Sequence, residues 1–575
     1  MGLRPTILAR DWLVTTEHYL SAQAAAAVLG AGGTAADAAV AAILAEGVLN
    51  PHMHTFGGEV VALVHAGRGV EALNGHTRAP LGLTLERCRA ARLTSLSPDH
   101  PYSWSVPAAP AALLALLERF GTWTFADVAA PAIDLARRGF PMHPGLRGPG
   151  ENLSIAGDRE KFLERWPTTA ALYLPGGEPP PVGALFTNPA LAAVLETMAE
   201  AERRGGGSRA AGLARARDAF YRGAPAEAAC RFAAEQGSLL GRVDFERYEP
   251  RFEPAVERAF AGLTVHKCGP WTSGPVLLQT LALLDPAALR AAGHNSPDYL
   301  HAVVEALKLA FADREQYYGD PDVVDVPIEA LLSDAYASRR RSLIDPRRAS
   351  LEERPGDPRR LAARLDGPPV PAAPWGPGTT HVNVVDRART VVSATASGAW
   401  IGASPVVPEL GFPLTTRCQT FALHPAHPNV VAPGKQPRTT LSPTLVTRDG
   451  RPAMALGTMG GDHQDQWTLQ AFLNLVLFGM EPQDAVEAPR VSTQHPRNSF
   501  HPHEAKLGQI RVEARVAYEV RRALQARGHR IELRPEWAEG YVLAIVVDET
   551  RGILRGGADP RGEVAGVIPA YAIGW

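Results

Sequence analysis

GPGTTHVNVVDRARTVVSATAS, residues 376–397, decides how this chain is read. Apolar and polar or small residues alternate on both sides of a short charged stretch, the period-2 pattern of strand, turn and strand. A three-residue turn at Arg387, Ala388 and Arg389 sets Asp386 opposite Thr390. Counting back along both strands then sets Thr379 opposite Ser397. Directly opposed side chains have Cβ atoms about 5 Å apart, so two hydroxyls meet at the first residue of a strand. Thr/Ser pairs are ordinary on sheets, and a one-residue slip would destroy this one. What distinguishes it is its place. It follows Gly378 and the segment 352–378, EERPGDPRRLAARLDGPPVPAAPWGPG, whose seven prolines suit neither a packed helix nor a central strand. That segment is expected to be a long, exposed loop, open to cleavage.

On the C-terminal side, PTLVT-RDG-RPAMALGT predicts a second hairpin turning at Asp449-Gly450, and VLAIVVD-ETRG-ILRGG a third. DQWTLQAFLNLVLFGM and VAYEVRRALQARGH read as helices between them. On the N-terminal side, residues 18–49 read as two close-packed Ala-rich helices. They are joined at Gly30, Gly32 and Gly33, and Thr34 with Asp37 forms a capping box for the second. HTFGGEVVALVHAGRGVEAL predicts strand, turn, strand. SPDYLHAVVEALKLAFADREQYY predicts a helix capped by Ser296 with Pro297 in its first turn. Leu300, Val303, Val304, Leu307, Ala310 and Phe311 share one face of it. RRGGGSRAAGLARA (203–216) reads as a mobile surface loop, and the acids of ADREQ and YGDPD as a solvated helix end. Antiparallel strands with helices grouped around them place the chain in the α+β class. A helix–sheet–sheet–helix sandwich is one arrangement that fits.

The chain has 575 residues and a formal net charge of −2 with pI near 6.8, which provides no field for nucleic acid or anionic lipid. No apolar run is long enough to span a bilayer. The start, MGLRPTILARDWLVTTEHYLSAQ, has no apolar core and carries Asp11 and Glu17, so a cytoplasmic location is expected. Cys88, Cys230, Cys268 and Cys418 form no CxxC pair and are expected to be buried free thiols.

Within LGTMGGDHQDQW (456–467) a strand ends at Gly457 and a helix begins near Asp465. The N–H groups of Gly460 and Gly461 would face outward at the positive end of that helix, where an oxyanion is stabilised by roughly 3–4 kcal/mol per donor. A tight strand-to-helix turn also requires small residues here. His52 and His54 lack helical ligand spacing and a third ligand. HPAHP, with His424 and His427, reads as a loop. There is no phosphate loop, GxSxG elbow or HExxH. No metal or organic cofactor is expected.

From Ala22 to the C-terminus the chain resembles the γ-glutamyltransferase family. The matching segments include GAGGTAADAAVAAILAEGVLNPH, PGTTHVNVVD, PGKQPRTTLSPTLV, GTMGGD, EAPR and GADPR. The resemblance implies an N-terminal-nucleophile hydrolase with an αββα fold that cuts itself before a threonine. Carried over, the cut is Gly378–Thr379. It yields a large subunit, 1–378, and a small one, 379–575, that stay together as a heterodimer. Thr379 is the nucleophile with its own α-amine as base, Ser397 the second hydroxyl, and Gly460 and Gly461 the oxyanion donors. The departures bear on substrate. The family arginine that holds a substrate carboxylate falls at His76, in NGHTRAP, with Arg78 two residues on. The aspartate that holds the substrate ammonium falls near Thr420. The asparagine after the second hydroxyl becomes Ala399, and the paired serines become Thr439 and Thr440. Without the aspartate an ammonium loses its partner, whereas Arg78 and Arg417 suit a carboxylate. The pattern resembles a bacterial branch with oxamate amidohydrolase-like and cephalosporin-acylase-like members, and implies hydrolysis of a small acidic amide. The alternatives are a γ-glutamyl hydrolase or transpeptidase acting on glutathione, a processed but inactive scaffold, and a serine hydrolase with a dispersed triad.

Overall fold

The structure is a computed structural model describing the chain except residues 1, 68, 149–153, 361, 364–377 and 565–569. Most of the proline-rich segment therefore lies outside the described residues. The hairpin forms in the expected register. Thr379–Val385 pairs antiparallel with Val391–Ser397, Thr379 stands opposite Ser397, and the Asp386 N–H bonds to the Thr390 carbonyl.

This hairpin is the middle of a seven-stranded antiparallel sheet. Its order is Tyr571–Gly574, Leu13–Thr16, Thr379–Val385, Val391–Ser397, Glu59–His65, Val70–Gly75 and Arg251–Pro254. A second seven-stranded antiparallel sheet runs Ile7–Ala9, Ile553–Ala558, Leu543–Asp548, Arg451–Gly457, Thr444–Arg448, Leu263–Lys267 and Val256–Phe260. Each sheet thus draws strands from both sides of Gly378.

Strand alternation sorts the side chains into layers. Val382, Val384, Val392 and Ala394 point out against the Ala-rich helices Tyr19–Gly30 and Ala35–Leu49. Val385, Val391, Leu63 and Leu13 point inward and meet Leu445, Ala455, Ile545 and Leu554 of the other sheet. That sheet's outer face, with Val446, Leu456 and Ala544, packs on the helices Pro275–Leu283, Pro297–Tyr317 and Gln464–Phe478. The result is helix, sheet, sheet, helix. Thr34 and Asp37 make the expected capping box, and Ser296 caps its helix. No helix among the described residues is long and apolar enough to cross a membrane.

Three expectations are corrected. Residues 203–216 are not one loop. A helix Arg209–Tyr221 starts after Ser208, whose hydroxyl caps it, and buries Leu213, Ala216 and Phe220 at helical spacing. The acids of ADREQ and YGDPD are not all a solvated end: Asp322 is exposed, but the helix carrying Asp313 lies within the helical layer. Asp313 is buried and accepts hydrogen bonds from Tyr336, Gln279 and the Gly356 N–H, and buried Asp320 accepts from the Gln436 N–H. Of the four thiols, Cys230 is only half-buried.

Candidate active site

Thr379 begins its strand, is buried, and lies with its hydroxyl 3.2 Å from that of Ser397. The Ser397 hydroxyl lies 3.0 Å from the Gly378 carbonyl oxygen and donates to it. A serine has one proton to give, so Thr379 is the donor in the bond between the two hydroxyls. A second group holds the same carbonyl: the Trp400 indole N–H, at 2.6 Å, which also reaches the Met53 carbonyl at 2.9 Å. Trp400 is brought back by a tight turn in which Gly398 and Ala399 both take positive φ, 88° and 50°. Only glycine fits at 398, since a Cβ there would lie 2.5 Å from the Glu59 carboxylate.

Gly460 and Gly461 form the turn before the helix Gln464–Phe478, with φ of 112° and 55°. A side chain at Gly460 would strike the Trp467 ring. Neither N–H donates to a described residue. The turn is tied to the Thr379 region from two directions. Met459 packs on Met53, which a Cβ on Gly378 would meet. Phe500, which would lie 3.3 Å from a Cβ on Gly461, packs edge-on against Trp400.

A buried charge network supports this turn and gives EAPR and GADPR a physical role. Arg490 pairs with Asp559, Arg561 with Asp559 and Glu513, and both arginines bond main-chain carbonyls. Trp467, against Gly460, donates to Glu539, whose N–H bonds Glu513. Burial alone would raise the Glu513 carboxyl, but Arg561, Arg490 and Arg515 overcome it and hold it at about 2, below its ordinary 4.5. A carboxyl depressed in the folded state contributes stability above its unfolded value and loses it as pH falls through the folded one. Between pH 5 and 2 the native protein should therefore lose about 3 kcal/mol through this group. Glu513→Gln should be less stable at pH 7 and flatten that part of a stability-against-pH curve. An unchanged slope would show that the network is not what acid breaks.

The remaining predicted residues separate. Arg417 is fully buried, ion-paired with Glu59, and stacked 4.9 Å from the Trp400 ring centroid and 5.6 Å from that of Phe500. Its Nη1 has no hydrogen-bond partner. Glu59 stands beside Ser397 in the sheet; one of its oxygens accepts from Arg417 and the other from Thr415. Burial raises the Glu59 carboxyl, and Arg417 opposes that shift. His76 is buried and stacked on Trp271, and its Nε2 lies 2.8 Å from the Pro437 carbonyl. Burial, and then the charge of Arg417, push its pKa well down, so it is neutral with Nε2–H donating and Nδ1 bare. The Thr440 hydroxyl is buried without a partner, whereas that of Thr439 accepts the Leu441 N–H. Arg78 stands apart. It is part-exposed and committed to Asp320, Asp322 and the Gly434 carbonyl. The Thr420 hydroxyl bonds the Arg417 and Arg438 carbonyls.

Sequence reasoning missed Trp400, Glu59, Met53 and Phe500. Trp400 was within reach, three residues beyond Ser397. His54 contacts the Ser397 carbonyl at 3.3 Å and is depressed to about 4 by burial, so it is a neutral neighbour of the site. His52 is buried with both ring nitrogens unpartnered. Away from the site, His301, Glu305 and His529 bring ligand-type atoms within 4.8 Å of one another. Their lone pairs and charges are largely engaged already: His301 Nδ1 lies 2.8 Å from His529 Nε2, and Glu305 is paired with Lys308 and Arg354. Two cations beside the carboxylate make this a poor home for a metal ion.

Residues 21–568 match the family model described as gamma-glutamyltranspeptidase. The fold is similar to the solved structure of LmbA2991T421A, with a TM-score of 0.92, 38% identity and 100% of both chains covered. An acylase ACY 1 proenzyme of Pseudomonas sp. (strain SE83) is 31% identical over 540 residues, 92% of this chain and 88% of its own length. A glutathione hydrolase-like YwrD proenzyme of Bacillus subtilis (strain 168) is 29% identical over 573 residues, 98% of this chain and 100% of its own length.

Proposed function

The chain belongs to the gamma-glutamyltranspeptidase family, and from that premise we propose that it is a precursor that cuts itself between Gly378 and Thr379 and then hydrolyses a small, carboxylate-bearing amide. The observation that carries this reading is the pair of hydroxyls at the Gly378 carbonyl. In the first step the Thr379 hydroxyl attacks that carbonyl carbon, the amide C–N bond breaks, and the nitrogen leaves as the α-amine of Thr379. Water then hydrolyses the resulting ester, freeing a large subunit (1–378) and a small one (379–575). In turnover the α-amine takes the Thr379 proton as the hydroxyl oxygen attacks a substrate amide. The oxyanion is met by the N–H groups of Gly460 and Gly461, the amine product leaves with the proton, and water releases the acyl group from Thr379.

The substrate reading rests on charge. No acid stands at Thr420 to hold an ammonium, and both oxygens of nearby Glu59 are taken. A buried guanidinium with a bare Nη1 and the unpartnered Thr440 hydroxyl suit a carboxylate, whereas the bare Nδ1 of neutral His76 can only accept a hydrogen bond. Arg78, held by its own acids, contributes less. An unpartnered ammonium in such a site costs roughly 3–5 kcal/mol, or about two to four powers of ten in kcat/KM. The test compares processed protein on oxamate and a succinyl anilide with γ-glutamyl p-nitroanilide and glutathione. The γ-glutamyl compounds should be the poorer substrates by that factor. Equal turnover would sink the charge argument and return the chain to γ-glutamyl chemistry.

A further inference from the structure

We propose that Trp400, together with Ser397, forms the oxyanion site for cutting the chain's own Gly378–Thr379 bond, separate from the glycine pair that serves external substrates. The inference rests on the self-cleavage reading and assigns it a residue.

Its basis is the Gly378 carbonyl oxygen, which receives two hydrogen bonds, from Trp400 Nε1 at 2.6 Å and from Ser397 Oγ at 3.0 Å. A carbonyl gripped by two donors beside a hydroxyl nucleophile is polarised for attack, and the same donors tighten as negative charge grows on that oxygen. Trp400 is fully buried, so its N–H does not compete with water. Two features hold the indole in place. The Gly398–Ala399 turn fixes its direction, and the Met53 carbonyl accepts from the same N–H at 2.9 Å. The Arg417 guanidinium over the ring face draws on its electron density and strengthens the N–H as a donor. Ala399 carries no polar side-chain atom, so it supplies no donor here.

The step balances without a co-reactant. Thr379 Oγ bonds to the Gly378 carbon as the C=O electron pair moves onto the carbonyl oxygen, while the Thr379 proton passes to Ser397 Oγ and on to the departing nitrogen and the Ser397 O–H keeps its bond to the oxyanion. The tetrahedral centre is held by the Trp400 N–H. It collapses as the C–N bond breaks, the C=O re-forms as an ester, and the nitrogen departs with the proton. Ser397 is thus both donor and relay, while Trp400 is donor only.

The test uses two replacements of the full-length chain with opposite defects. Trp400→Phe keeps an aromatic ring and removes the N–H. Trp400→His keeps a ring N–H at the same bond distance from Cβ and removes bulk. Cleavage is followed after purification by denaturing gel and intact mass, and precursor folding by thermal melting of each change in a Thr379→Ala background, where no chain is cut. Cleavage should be slowed about 10²-fold in Trp400→Phe and less in Trp400→His, with the uncut forms melting within a few degrees of Thr379→Ala alone. Trp400→Phe cleaving within threefold of wild type, or faster than Trp400→His, would overturn the role of the N–H while leaving self-cleavage standing. A loss of cleavage matched by a collapse in melting temperature for both variants would also overturn it, by making Trp400 a packing residue. A wild-type chain that never cuts would instead defeat the reading beneath.

Discussion

Thr379→Ala should remain a single 61.4-kDa chain however long it is incubated at neutral pH, while the wild-type protein yields two pieces, the smaller beginning Thr-Thr-His-Val. The substitution leaves the Gly378 carbonyl in the grip of Ser397 and Trp400 and removes the attacking oxygen together with the side-chain methyl. Polarisation without a nucleophile leaves an ordinary peptide bond, so the rate should fall at least ~10⁶-fold, towards uncatalysed hydrolysis. Thr379→Ser keeps the hydroxyl and should still cut. A denaturing gel and N-terminal sequencing decide the matter: a cut Thr379→Ala protein, or a wild-type cut at another bond, would remove Thr379 from the chemistry.

The second large effect concerns Arg417. Replacing it with methionine leaves the Glu59 carboxylate buried and unpaired, at a cost of roughly 3–5 kcal/mol. Removing both charges in Glu59→Gln/Arg417→Met should recover much of that loss, because the penalty lies in the orphaned charge. The pH dependence has a definite sign. Burial already raises the Glu59 carboxyl, and without Arg417 nothing opposes that shift. A carboxyl raised in the folded state is tolerated while protonated, so the penalty should be small below the ordinary carboxylate range and grow as pH rises above it. Urea unfolding of the uncut Thr379→Ala protein, with and without these changes, measures it. A single Arg417→Met variant as stable as its parent at pH 7 would mean that this ion pair is not what the buried site depends on.

The hairpin was legible because two regularities act on it at once: side-chain period sets the faces, and turn length sets the register. Together they brought Thr379 to Ser397 across a separation of 18 positions in the chain. The glycine turn at 460–461 was legible for a similar reason, since strand, two glycines and helix leave few backbone paths. What could not be read was anything joined only through the sheet. Glu59 faces Ser397 through strand order, Arg417 reaches Glu59 from a short helical turn at Arg417–Thr420, and Phe500 arrives from a loop. No local pattern encodes those meetings. Arg78 shows the converse. Its neighbourhood in sequence made it a ligand candidate, but Asp320 and Asp322, more than two hundred residues away, claim it. The acids near 313 and 320 were misjudged because composition reports polarity and not depth.

Each sheet takes neighbouring strands from both sides of Gly378: Leu13–Thr16 and Glu59–His65 flank the hairpin that carries Thr379, and Leu263–Lys267 lies against Thr444–Arg448. Once the bond is cut, the two polypeptides are interlocked like fingers rather than docked like hands, and separating them means unravelling both sheets. Folding begins as a unimolecular event. Any refolding after the cut is bimolecular and must also rebuild two sheets from chains that never met as strangers. Such a molecule is assembled once. Once cut, its persistence would be set by how slowly it unfolds and not by how well its pieces find each other, so a cut that armed it would also remove its way back.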